Sequence, residues 1–386
     1  MTGITAFTGA RIFDGESWHN RHALLVDQGS VVGIVETGSL PENCDLHPSR
    51  AAFIVPGFVD LQVNGGGGVL LNDVPTCEGI QTICAAHARF GTTALLPTLI
   101  TDTPEVTDQA IAAGSAAFAE NVPGFLGLHL EGPHLSKARK GAHEEQLIRV
   151  MEPLDLQRLL SARKKLNNLM TTVAPESVTP DQVAQLAEAG IVVSMGHTNT
   201  PCNAVDEYVE AGARLVTHLF NAMSAFSHRD PGLVGAALQT GALSAGLIAD
   251  GFHVDPIAID VALRAKSGPG RIFLVSDAMS SIGTDLRSFE LNGRTIHREG
   301  GRLTLADGTL AGADIDMSAS VRYLMDHVGV KSEEALRMAS TFPAEALGLD
   351  TKGRLGKGCD ADLIELDESF HVQTTWIGGQ KNFSTP

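Results

Sequence analysis

Histidine, acidic and amide side chains recur in this sequence at or near the ends of short apolar runs. They are Asp60, Gln62, Asn64, His129, Glu131, His134, His197, His218, Asn221, Asp250, His253 and Asp277. Two histidines and a glutamate brought to one place would offer imidazole and carboxylate ligands suited to zinc or a similar divalent ion, with one position left for water. An aspartate outside the ligand set could take a proton from that water. Any one of these residues has an ordinary structural explanation, but the set favours a hydrolytic site.

The apolar runs themselves predict the strands that position these side chains. Between Phe53 and Met279, short runs rich in leucine and β-branched residues alternate with segments of helical period, which is typical of repeated β-α units. The eight runs are Phe53–Val63, Thr92–Ile100, Phe125–Leu130, Leu169–Ala174, Ile191–Met195, Leu215–Leu219, Ala245–Ala249 and Ile272–Ser276. Eight strands close a (β/α)8 TIM-like barrel, whose active site lies at the carboxyl ends of the strands.

The segments between the runs carry helix signals. Thr179-Pro180-Asp181-Gln182 supplies a capping residue, a proline at the first helical position and a capping-box glutamine, and Gly190 ends that helix. Thr200-Pro201 and Asp255-Pro256 begin two similar segments. An open, doubly wound sheet would show the same local pattern, and the strand count favours the barrel.

The two ends of the chain have a different texture, with short alternating strands separated by glycine and aspartate turns. We therefore expect a small β-sandwich domain built from both termini, residues 1–54 and 353–386, around a catalytic α/β barrel of residues 55–352. Residues 288–311 predict a β-hairpin over the barrel mouth, and residues 316–347 predict helices.

Composition limits the partners and the compartment. The net charge of −17 and the isoelectric point near 5.2 would repel a phosphate backbone, and no offsetting Lys/Arg cluster appears. We expect neither a nucleic acid nor a membrane as a partner. The five cysteines are scattered without a CxxC pair, the N-terminus lacks a secretory pattern, and no apolar run approaches the roughly 18 residues of a membrane span. A cytoplasmic protein is expected.

Eight motifs in order along the chain carry a family resemblance. They are PGFVDLQVNG (56–65), HLEGPHL (129–135), GHT (196–198), THLFNAM (217–223), RDPGLVGAAL (229–238), ADGFHV (249–254), VSDAM (275–279) and LAGA (310–313). Together they resemble the N-acetylglucosamine-6-phosphate deacetylases of the amidohydrolase superfamily, and GRLGKGCDADL (353–363) resembles that superfamily's return to the small β domain. The resemblance implies hydrolysis of the acetyl group from a small-molecule amino sugar phosphate.

The resemblance also implies residue roles. Glu131, His197 and His218 would bind the metal, expected to be zinc, and Asp277 would act as general base and then general acid. His143 would lie near the acyl carbonyl. The remaining substrate contacts would be Ala142, Asn221, the backbone of Ala222, Arg229, His253, Leu310, Ala311 and Gly312. Asn221, Ala222 and Arg229 would hold the phosphate, with Arg229 reaching the other subunit of a homodimer, and residues 310–312 would close over the substrate.

Two alternatives remain open at this point. The same mechanism could serve N-acetylgalactosamine 6-phosphate or another N-acyl amine, since epimers differ by one hydroxyl direction. A barrel that has lost catalysis and acts as a binding protein would show gaps among Glu131, His197, His218 and Asp277, and all four are present.

The sequence differs from much of the superfamily at the position where a second metal ion would bind. Many amidohydrolases carry a His-x-His pair after the first strand, where this chain reads Gln62-Val63-Asn64. Neutral amides are weak ligands for a divalent cation, so we expect one divalent metal ion per subunit.

Overall fold

The computed structural model describes residues 3–385. The first strands precede the barrel and are short. They are β1 (Thr5–Thr8), β2 (Arg11–Phe13), β3 (Trp18–His19), β4 (His22–Asp27), β5 (Ser30–Glu36), β6 (Asp45–Pro48) and β7 (Phe53–Pro56).

The barrel strands follow, with a two-stranded hairpin after the first of them. They are β8 (Phe58–Val63), β9 (Gly65–Gly66), β10 (Val69–Leu70), β11 (Thr92–Ile100), β12 (Leu128–Glu131), β13 (Leu169–Val173), β14 (Val192–Met195), β15 (Leu215–Val216), β16 (Ser244–Leu247) and β17 (Ile272–Leu274). β8 and β11–β17 form one eight-stranded parallel sheet in chain order.

The sheet closes on itself beyond the end of β17. Ala278 forms a parallel bridge with Val63, and the Asp277 backbone N–H donates to the Gln62 carbonyl over 2.9 Å. The closed ring confirms the predicted barrel and excludes the open sheet. It also brings the segments after β8 and after β17 side by side.

Helices surround the barrel, and two of the three with predicted capping signals begin where those signals lie. They are α1 (Cys77–Ala88), α2 (Pro104–Ala119), α3 (Pro153–Arg163), α4 (Pro180–Glu188), α5 (Val205–Glu210), α6 (Gly232–Gln239) and α7 (Pro256–Ala265). α4 has the predicted capping box between Thr179 and Gln182, and Asp255 caps α7. α5 begins later than predicted, because Cys202–Ala204 forms a 3-10 turn first.

The predicted hairpin over the barrel mouth is an antiparallel sheet of four strands rather than two. They are β18 (Ser288–Leu291), β19 (Arg294–Glu299), β20 (Arg302–Thr304) and β21 (Leu310–Ala313). Leu291, Ile296 and Leu303 of this sheet pack on Leu70, Ile100 and Met279 around the barrel mouth. We call β18–β21 the mouth sheet.

The chain then forms the predicted helices and returns to the first strands. The elements are α8 (Met317–Tyr323), a π-helical turn (Leu324–Val328), α9 (Ser332–Ala339), α10 (Thr341–Ala346), β22 (Leu363–Leu366), β23 (Val372–Ile377) and β24 (Gln380–Ser384). None of the helices in the described part of the chain is long and apolar enough to cross a membrane. All five cysteines are free.

Both termini build the small β domain. One sheet has the order β5-β4-β1-β6, and the other has the order β24-β23-β22-β7-β2-β3. In the second sheet β22, which follows the barrel in sequence, pairs with β7, which precedes it. Phe7, Leu24, Ile54 and Leu363 share one apolar core between the two sheets. The predicted sandwich is therefore confirmed. The division of the chain at residues 54/55 and 352/353 stays a prediction.

The predicted first strand was wrong in one respect. Phe53–Val63 is two strands, because Gly57 separates β7, which pairs in the small domain, from β8 of the barrel. A Cβ atom at Gly57 would lie 2.0 Å from Thr93 Oγ1, so only glycine fits where the chain passes between the two domains.

Candidate active site

A cavity of about 470 Å³ opens at the carboxyl ends of the barrel strands. Its walls come from the strand ends, the loop of residues 137–143 and the mouth sheet. The lining includes Asn64, Glu131, Lys137, Arg139, Lys140, Ala142, His143, His197, His218, Asn221, Ala222, His253, Asp277, Leu310, Ala311 and Gly312. With the exception of Arg229, the residues predicted to bind metal or substrate or to catalyse therefore surround this cavity.

Three donor atoms converge on one point at its floor. Glu131 ends β12, His197 follows β14 and His218 follows β15. The Nε2 atoms of His197 and His218 lie 3.2 Å from Glu131 Oε1 and 3.0 Å from each other. All three side chains are at least nine-tenths buried. Two imidazoles and one carboxylate packed this closely can share one positive charge, which a proton or a metal ion would supply.

Hydrogen bonding orients His197 for such a charge. Its Nδ1 donates to the Arg139 carbonyl over 2.8 Å, because a carbonyl can only accept, and this leaves Nε2 to face Glu131 with either a second proton or a metal ion. Burial alone would raise the pKa of Glu131, but His197 and His218 outweigh it and hold that pKa well below its usual range. Burial opposes protonation of His218, yet Glu131 raises its pKa.

A fourth buried side chain, His143, lies beside this group. Its Nε2 is 3.9 Å from Glu131 Oε2, and its ring lies 4.4 Å from that of His197, centroid to centroid. Glu131, His143 and His197 each present one donor atom within 4.8 Å of one another. The distances within the Glu131, His197 and His218 group are shorter, so that group is the tighter candidate metal site.

Asp277 follows β17 and is held by the two amides that stand where many amidohydrolases have histidines. Asn64 Nδ2 donates to Asp277 Oδ1 over 2.7 Å, and Gln62 Nε2 lies 3.2 Å from both Asp277 Oδ1 and Glu131 Oε1. Burial raises the pKa of Asp277 to about 6, and the charge of Glu131 acts in the same direction. A carboxyl group with a pKa near neutrality can both accept and return a proton.

The backbone is strained at three of these residues. His197, His218 and Asp277 have φ angles of 45°, 28° and 51°, in the left-handed region that side chains other than glycine rarely adopt. Such strain persists only where the surrounding structure imposes it, and it concentrates at functional sites. Here it turns each side chain from the strand end into the cavity.

The predicted substrate contacts lie around the cavity wall. Asn221 and Ala222 follow β15, and His253 Nδ1 bonds Asp250 Oδ2 over 2.6 Å. Gly312 lies in β21 with a φ of 69°, and a Cβ atom there would lie 2.5 Å from Met279 Cγ. The Ala142 carbonyl accepts a hydrogen bond from Arg294 of the mouth sheet. The mouth sheet therefore meets both Met279 and the loop that carries His143.

Arg229 is the exception among the predicted contacts, because it is exposed and does not line the cavity of its own chain. Cations that the sequence reasoning missed do line it: Lys137, Arg139 and Lys140 in the loop after β12. The Arg139 guanidinium donates two hydrogen bonds, of 2.8 and 3.0 Å, to Asn199 Oδ1. The KARK sequence of residues 137–140 was the available signal.

Comparisons with known proteins agree with this architecture. Residues 53–382 match the Amidohydrolase family, and residues 5–48 match the NagA composite domain. An N-acetylgalactosamine-6-phosphate deacetylase from Shewanella sp. (strain ANA-3) is 40% identical over 96% of this chain and 94% of its own length. The N-acetylglucosamine-6-phosphate deacetylase of Homo sapiens is 38% identical over 85% of this chain and 82% of its own length.

A solved structure is similar over almost the entire chain. The crystal structure of N-acetylglucosamine-6-phosphate deacetylase from Pasteurella multocida superposes with a TM-score of 0.94 at 33% identity, covering 99% of this chain and 100% of that one. These matches agree with the barrel, the buried carboxylate and imidazole group and the adjacent aspartate. They show that the chain belongs to the amidohydrolase family.

Proposed function

We propose that this protein hydrolyses N-acetyl-D-glucosamine 6-phosphate to D-glucosamine 6-phosphate and acetate. The observation that carries the proposal is the convergence of Glu131, His197 and His218 next to Asp277 in one buried cavity. Relatives and a solved structure that bear the name of this deacetylase support the choice of substrate.

The donor group fits one zinc ion. Ligand bonds of about 2.0 Å at tetrahedral angles place neighbouring ligand atoms about 3.3 Å apart. The three separations among Glu131 Oε1, His197 Nε2 and His218 Nε2 are 3.0–3.2 Å, close to that value. A divalent cation held there would lower the pKa of water to about 7 and polarise the amide carbonyl.

Asp277 and His143 would handle the protons and the developing charge. Asp277 accepts a proton from the attacking water, with Asn64 holding its carboxylate in place. His143 donates from Nε2 to the carbonyl oxygen as negative charge grows there. Asp277 then returns the proton to the nitrogen, so that the amino sugar leaves as a neutral amine rather than as an amide anion, which is a poor leaving group.

The cavity suits an anionic substrate although the chain carries a net charge of −17. Asn221 and the Ala222 backbone would bind the phosphate, while Lys137 and Lys140 add positive charge to the lining of the same cavity. Exposed Arg229 would complete the phosphate site of the other subunit in a homodimer. A cytoplasmic location fits a sugar phosphate substrate and free cysteines.

N-acetylgalactosamine 6-phosphate is the second candidate substrate. The relative from Shewanella that carries this activity in its name is 40% identical, slightly more than the human N-acetylglucosamine-6-phosphate deacetylase at 38%. The two sugars differ at one hydroxyl, so the same catalytic residues would serve either.

Acetate release tests the proposal directly. The zinc-loaded protein should hydrolyse N-acetylglucosamine 6-phosphate with a higher kcat/KM than its galactosamine epimer, and both should exceed unphosphorylated N-acetylglucosamine. Glu131→Gln is the matched control, because it keeps the side-chain shape and weakens the metal site. A higher kcat/KM for the galactosamine epimer would favour the second candidate, and release from neither sugar phosphate would reject both.

A further inference from the structure

We propose that Thr101 is a positioning residue that holds His143 in the tautomer whose Nε2 carries the proton. The inference rests on the deacetylation proposed above, in which His143 donates a hydrogen bond to the substrate carbonyl. Thr101 belongs to none of the motifs that carry the family resemblance, and it follows β11, the second barrel strand.

Thr101 contacts His143 through two of its groups. The Thr101 backbone N–H donates to His143 Nδ1 over 3.3 Å, and Thr101 Oγ1 lies 2.8 Å from the same nitrogen. Both residues are almost completely buried, at 1% and 2% exposure. The two contacts are therefore shielded from bulk solvent.

The direction of the backbone hydrogen bond decides the protonation of the ring. A backbone N–H can only donate, so Nδ1 must be an acceptor and carries no proton. This excludes both the Nδ1–H tautomer and the doubly protonated ring. The remaining form is neutral, with its proton on Nε2.

That proton points into the cavity. His143 Nε2 lies 3.9 Å from Glu131 Oε2, on the side where the donor atoms of the candidate metal site converge. A nitrogen that bears a proton has no lone pair for a metal, so this contact makes His143 a hydrogen-bond donor rather than a fourth ligand. The same contact therefore separates the role of His143 from those of His197 and His218.

The local fold leaves room for the Thr101 hydroxyl. Gly132 has a φ of 87°, and a Cβ atom there would lie 2.3 Å from Thr101 Oγ1. The register of β11 and β12 pairs Ile100 with Glu131, the last residues of the two strands, so Thr101 and Gly132 leave the sheet side by side. Any side chain at Gly132 would displace the hydroxyl from His143.

Kinetics of Thr101→Val and Thr101→Ser test this role. Valine keeps the backbone N–H but replaces the hydroxyl, the closer of the two contacts, with a methyl group too large for 2.8 Å, so the His143 ring is displaced. Serine keeps the hydroxyl and the ring position. We expect Thr101→Val to lower kcat about 10- to 100-fold, with KM and zinc content within about threefold of wild type. Thr101→Ser should keep kcat within about threefold of wild type.

A double-mutant cycle shows whether the effect passes through His143. In a His143→Ala background, Thr101→Val should change kcat less than about twofold, because the group it positions is gone. An equal loss in both backgrounds would overturn the proposal, as would a wild-type kcat in Thr101→Val.

A second measurement does not depend on activity. In metal-free protein with ¹⁵N-labelled histidine, the His143 signals, identified as those missing in His143→Ala, should report a proton on Nε2. A proton on Nδ1 would overturn the proposal. No deacetylation by the wild type, together with the Nε2–H tautomer, would count against the reaction and still support the Thr101 contact.

Discussion

Asn64 Nδ2 donates a hydrogen bond of 2.7 Å to Asp277 Oδ1, and this bond links the segment after β8 to the segment after β17. The closure of the barrel creates it, because the two segments are more than 200 residues apart in sequence and adjacent only when β17 returns to β8. The amide groups of Asn64 and Gln62 both present their N–H donors to carboxylates. These hydrogen bonds orient the acids of the site.

Asp277→Asn should remove most turnover and leave the protein folded and loaded with metal. The amide oxygen can still accept from Asn64 and Gln62, but the side chain can no longer take a proton from water. Loss of a general base usually costs about 10²–10⁴-fold in rate. Acetate release, zinc content and thermal unfolding of the two proteins check this, and retention of more than about a tenth of wild-type kcat would contradict the assignment.

One zinc ion per subunit is expected after dialysis. Gln62 and Asn64 stand where a second ion would need strong ligands, and both turn their N–H groups towards the acids. Metal analysis by mass spectrometry gives the count. Two ions per subunit, with activity lost when the second is removed, would show that this expectation is wrong and would favour a two-metal mechanism.

Arg229→Ala should lower kcat/KM selectively for the phosphorylated substrate. Guanidinium groups bind phosphate through paired hydrogen bonds, and Arg229 is exposed and free to meet another subunit. We expect kcat/KM to fall about tenfold or more for the sugar phosphate and little for unphosphorylated N-acetylglucosamine. Equal losses for the two sugars would indicate a structural role, and sedimentation of both proteins would show whether the homodimer forms.

Much of the fold could be predicted because strand period and cap residues are local signals. β11 matches its predicted run residue for residue, and α4 begins at its capping box. The failures lie where tertiary pairing decides. The run of residues 53–63 looks continuous, and only its two different partner sheets divide it at Gly57. In the mouth sheet, turns at Asn292-Gly293, Gly300-Gly301 and Asp307-Gly308 were visible signals for four strands.

The candidate site was predictable where it lies on strands and much less so where it lies on loops. Strand ends meet at one face of a barrel, so Glu131, His218 and Asp277 could be grouped from the sequence. The path of residues 137–143 could not be read this way, and its cations were missed. The contact of Thr101 with His143 depends on that same path.

Asp60 provides a prediction about stability and pH. It is fully buried in β8, where it accepts hydrogen bonds from the backbone N–H groups of Gln62 and Ser276. Burial raises the pKa of Asp60 from 3.8 to about 7. Between these values the folded state binds more protons than the unfolded state, so the Asp60 contribution to stability is lost as pH rises through this window.

Asp60→Asn should therefore change the pH dependence of stability in the metal-free protein. The amide stays neutral, so the variant should gain stability relative to wild type as pH rises from about 4 to about 7, by an amount on the order of 4 kcal/mol. Urea unfolding at several pH values in the presence of a chelator measures the difference, and subtracting the variant from wild type cancels the other ionisable groups. A difference that stays constant with pH would mean that Asp60 ionises normally in the folded barrel. Asp60 accepts a hydrogen bond from Ser276, which precedes the general base Asp277. The activity of Asp60→Asn at neutral pH should therefore also show whether a charge on Asp60 is needed to place Asp277.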